Sequence, residues 1–119
     1  MSAFVELERE RYAPGDVLRA AIRLEPLPGD EGRRVEASVL WETSGKGDTD
    51  AGVILHSVLS SGDGLGARAT HRLEVEPPAL PFSHRGRLIK IGWCVRVRRL
   101  SRLGRDEVYD YPFELGGPA

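Results

Sequence analysis

"GRLIKIGWCVRVRRL", residues 86–100, alternates with a period of two. Ile89, Ile91, Trp93, Val95 and Val97 fall on one side, and Lys90, Cys94, Arg96 and Arg98 on the other. Successive side chains of a strand point to opposite faces, so this pattern predicts a long strand with one buried face. A helix needs apolar residues three and four apart, and no window of the chain sustains such a stripe. The remainder reads the same way. "AFVELE" sets Ala3, Val5 and Leu7 against Glu6 and Glu8, and "DVLRAAIRLE" sets Leu18, Ala20, Ile22 and Leu24 against Arg19, Arg23 and Glu25. "RRVEASVLWE" aligns Val35, Ala37, Val39 and Trp41, "ARATHRLEVE" aligns Ala69, His71, Leu73 and Val75, and "EVYDYPFEL" aligns Tyr109, Tyr111, Phe113 and Leu115. "GVILHSVLSS" starts apolar on both faces, which predicts a central or covered strand.

Turn chemistry separates the runs: Ala13-Pro14-Gly15-Asp16, Pro28-Gly29-Asp30, Ser44-Gly45-Lys46-Gly47-Asp48, Ser61-Gly62-Asp63-Gly64 and Leu103-Gly104-Arg105. Seven strands joined by such turns predict an all-β, immunoglobulin-like antiparallel β-sandwich. The core aromatics are Trp41, Trp93 and Phe113, each on the apolar side of its run.

A chain of 119 residues fits a single domain, residues 1–119. Its net charge of −1 argues against a nucleic-acid partner. One cysteine, Cys94, leaves no internal disulfide and no cysteine-rich zinc site, and it suits a reducing, cytoplasmic setting. No apolar run has the length of a membrane span, and "MSAFVELERE" is not a signal peptide. Charge is unevenly spread: residues 85–105 carry 8 of the 17 lysines and arginines and none of the 18 acids.

"YAPGDVLRAAIRLEP", residues 12–26, resembles the signature of the arrestin-like superfamily, an aromatic, then Pro-Gly-acid, then alternating aliphatics. Ala20 stands where that family usually has glycine. "EVEPPALPFSHRG" resembles a second hallmark, a strand entering a Leu-Pro segment, a serine and a glycine before the long aromatic-bearing strand. "YPFEL" is similar to the family's closing strand. The resemblance implies one arrestin N-terminal-type sandwich of the bacterial kind. The proline-rich segment becomes the crossover between two sheets, anchored by Leu80 and Phe82. It further implies a non-enzymatic protein-interaction or scaffold module, binding protein partners, self included, through an edge strand or a sheet face. No cofactor, metal or small-molecule substrate is implied, and a membrane surface ranks below a protein partner.

Arg87, Arg96, Arg98 and Arg99 are the candidate binding residues. They form a basic stripe for an anionic partner, either a lipid headgroup or an acidic protein. The competing reading is a solvated face balanced by glutamates of neighbouring strands, such as Glu6 and Glu8. "SGKGDTD", with Asp48 and Asp50, lacks the spacing of a phosphate or calcium loop and reads as a hairpin turn. His56, His71 and His84 lie on separate segments, and the Ser83-His84 pair has no orienting carboxylate. Cys94 reads as an ordinary thiol.

Overall fold

The alternating run at residues 89–99 is the central strand of the larger of two sheets. The computed structural model describes residues 2–25, 34–45, 50–61, 69–78, 83–85, 89–100 and 106–116. Its strands are β1 (Ser2–Leu7), β2 (Arg11–Tyr12), β3 (Leu18–Glu25), β4 (Arg34–Gly45), β5 (Ala51–Ser61), β6 (Ala69–Val75), β7 (His84–Arg85), β8 (Ile89–Arg99) and β9 (Glu107–Leu115). All seven expected strands are present, and β2 and β7 are short additions. No described residue is helical.

The smaller sheet has the order β1-β3-β6, and the larger runs β2-β9-β8-β4-β5, with β7 also pairing β8. Every pair is antiparallel except β2 with β9, which is parallel. β6 belongs to one sheet and β7 to the other, so the proline-rich stretch between them is the expected crossover. Leu80 and Phe82 lie outside the described residues.

Leu18, Ala20, Ile22 and Leu24 of β3 face Val35, Ala37, Val39, Trp93, Val95 and Val97 across the core, all buried. Ile91, expected beside them, is only half-buried. Trp93 stacks at a tilt on Phe113, with centroids 5.9 Å apart, and Tyr12 meets Phe113 edge-on at 5.6 Å. The Pro14-Gly15 turn explains how Tyr12 enters this cluster. Asp16 N donates to the Ala13 carbonyl at 3.0 Å, and Gly15 takes a φ of 91°, which favours glycine. The Asp16 carboxylate also accepts from Ala13 N at 2.8 Å. The Tyr111 hydroxyl of β9 donates to the Ala3 carbonyl of β1, joining the two sheets.

β5 departs from expectation. It is an edge strand of the larger sheet, bonded among the described residues to β4 alone. Two register shifts explain its doubly apolar sequence. Leu55 pairs Val39 while Val53 pairs Leu40, leaving Ile54 as an extra residue, and Leu59 is extra in the same way. Ile54, Leu55 and Leu59 consequently all pack against the core. The bulges, rather than a second covering layer, account for the loss of alternation.

Candidate functional site

The outer face of the larger sheet carries Arg96 and Arg98. β8 lies between β4 and β9, and its register sets Arg96 opposite Ser38 and Asp110, and Arg98 opposite Glu36 and Val108. Arg96 Nε donates to Asp110 at 2.7 Å and its Nη2 to the other oxygen at 3.0 Å, a two-pronged bond. The same guanidinium reaches Glu42 of β4 at 2.6 Å. These bonds, Asp110 first, raise the Arg96 pKa further above its ordinary value. Arg98 donates twice to Asp106, at 2.9 and 2.6 Å. Arg99, turned towards the interior with 13% of its side chain exposed, bonds Glu107 at 2.7 Å. That bond holds the Glu107 carboxyl below the usual range.

Three of the four candidate arginines therefore sit in ion pairs supplied by β4, β9 and the residue preceding β9. Arg87 lies outside the described residues. Of the acids proposed from sequence, Glu6 is in β1 of the other sheet and Glu8 directly follows that strand, where it meets Arg19 at 3.8 Å. The partners missed in the sequence are Glu42, Asp106, Glu107 and Asp110. Asp110 did carry a signal, since it alternates outward between Tyr109 and Tyr111 on the strand following β8.

Beside Arg96, an open groove of about 390 Å³ runs over Gly92 between Glu42, Lys90, His84 and Pro112. Cys94 lines it, and burial followed by the Asp110 charge pushes its thiol up to about 12. Such a thiol stays protonated and is a poor nucleophile at neutral pH. Ser83 is engaged elsewhere: its hydroxyl accepts from Leu115 N at 2.9 Å and its N–H donates to the Leu115 carbonyl at 2.7 Å. His56 meets Glu36 at 3.2 Å, while His71 and His84 sit on other strands. Among the described residues no group of three His, Cys, Asp or Glu side chains is placed to hold a metal. The "SGKGDTD" stretch joins β4 to β5, with Asp50 N donating to Thr43 Oγ1 at 2.7 Å; Asp48 lies outside the described residues. No described helix is long and apolar enough to cross a membrane.

The second candidate is the edge of β5. Its sequence, AGVILHSVLSS, contains no Asp, Glu, Lys or Arg, and it leaves Val53 59% and Val58 43% exposed. The other long edges are guarded by charge or proline. β1 carries Glu6, β6 carries Arg72 and Glu74, and β9 carries Asp110 and Pro112. Glu114 N and Gly116 N both donate towards β2, so alternation turns the proline nitrogen to that same outer side. Natural sheets use such devices to discourage pairing with another chain. Among the described residues, β5 has only its bulges.

No protein-family model and no curated protein matches the chain. Among solved structures, it is similar to the crystal structure of Spo0M, a sporulation control protein from Bacillus subtilis, with a TM-score of 0.64 and 11% identity. The match covers 95% of this chain and 48% of that one, so the chain spans about half the length of Spo0M. The two sheets, the Pro-Gly turn that follows Tyr12 and this likeness agree: the chain folds as an arrestin-like β-sandwich.

Proposed function

We propose that the domain is a non-enzymatic protein-interaction module that accepts an extended segment at the open edge of β5. The observation that carries this reading is the uncharged edge itself, with Val53 and Val58 standing exposed along it. Strand addition draws affinity from main-chain bonds and selectivity from alternate side chains, and β5 offers both. A cytoplasmic setting belongs to the same proposal, in keeping with the free thiol of Cys94. An anionic partner at Arg96 and Arg98 ranks second, because their guanidinium groups already serve Glu42, Asp110 and Asp106.

The test is to select binders from a displayed library of random peptides and map them by amide hydrogen exchange. Bound peptides should protect residues 51–61, and Val53→Lys with Val58→Lys should weaken them several-fold. Protection confined to other strands overturns the reading.

A further inference from the structure

We infer that the occupant of the β5 edge is a second copy of this chain, paired antiparallel about a two-fold axis at Ser57; this rests on the edge-strand reading above. Between the two bulges, Leu55 to Leu59 alternates regularly. Leu55 and Leu59 pack against the core, Ser57 pairs the inward Ala37, and His56 and Val58 pair Ser38 and Glu36 on the outer face.

That five-residue segment, Leu-His-Ser-Val-Leu, is self-complementary in one register. With Ser57 opposite its own copy, Leu55 of each chain faces Leu59 of the other, inward against inward. His56 of each chain faces Val58 of the other, outward against outward. Every facing pair thus lies on one face, as antiparallel pairing demands. A shift of one residue would set inward side chains against outward ones.

Charge favours the same occupant. A two-fold interface confronts each patch with itself, so any charge along the strand would meet its like close to the axis. β5 has no Asp, Glu, Lys or Arg to repel, unlike the edges formed by β1, β6 and β9. Glu36 holds the His56 ring nitrogen at 3.2 Å and is itself bonded to Arg34 at 3.0 Å, which ties the nearest carboxylate within its own sheet. Pairing would continue the larger sheet across both copies and cover Val58.

Sedimentation velocity over a concentration series tests this on wild type and two double variants, with circular dichroism confirming that each folds. The wild type should move from monomer to dimer with concentration. His56→Lys with Val58→Lys places like charges opposite each other twice and should weaken the dimer about tenfold or more. His56→Lys with Val58→Glu places opposite charges at those same two contacts and should restore the dimer. A wild type still monomeric at about 1 mM, a affinity floor near −4 kcal/mol, overturns self-pairing. So does a dimer that both double variants leave unchanged. Neither result touches the edge-strand reading, which is decided separately by peptide protection of residues 51–61.

Discussion

Trp41 occupies the space that Gly52 leaves empty. The two are register partners on β4 and β5, and a Cβ at Gly52 would fall 2.6 Å from Cε2 of the Trp41 indole. Glycine weakens a strand by itself, yet here it makes room for an aromatic from the neighbouring strand. The indole in turn packs against the core at the margin of the larger sheet.

Gly52→Ala should therefore displace the indole and cost about 1–3 kcal/mol through overcrowding. A lowered melting temperature with altered tryptophan fluorescence is the expected outcome. Unchanged values for both would show that the ring has another place to go.

Trp93→Ala should cost roughly 3–5 kcal/mol, because the side chain is fully buried and supports Phe113. Chemical denaturation measures the loss. A midpoint equal to wild type would contradict the packing of β8 against β3.

Cys94 predicts an alkaline effect. Its thiol is raised from 9.0 to about 12 in the folded chain, so the unfolded state loses the proton first. The thiol's contribution is whole below pH 9.0 and disappears as pH rises towards 12. Cys94→Ala should fall less steeply in stability above pH 9 than wild type. Native Cys94 should also react with iodoacetamide much more slowly than the denatured chain, and equal rates would refute the shielding.

Arg96→Gln with Arg98→Gln should change stability by less than about 1 kcal/mol per exposed pair. Binding to anionic vesicles should be equal for both proteins at low and high salt, since these guanidinium groups are bound within the sheet. A several-fold, salt-sensitive loss in the variant would instead establish an anionic docking face.

Sheet faces were legible in the sequence because burial imposes a period of two, which is plain in β3 and β8. The Pro14-Gly15 turn was legible for a similar reason: the local chain conformation restricts residue choice. Pairing order was not. Which acid meets Arg96 depends on β4 and β9 both flanking β8, a relation between segments far apart in sequence. The bulges at Ile54 and Leu59 interrupted alternation in β5, and an edge strand took on the appearance of a central one. Gly52 offered a faint local sign, a glycine within an apolar strand, but its reason lies on β4.

The bond from Tyr111 to Ala3 spans 108 positions of the chain. The first strand thus waits for the last before this tie between the sheets can form, and β2 likewise finds its partner only in β9. During synthesis the amino-terminal strands must persist without that closure until nearly the whole domain has emerged. Such distant contacts slow folding, because a long loop must close before any bond rewards it. An uncharged strand such as β5 is then most at risk of meeting a neighbour in the interval before the chain closes on itself.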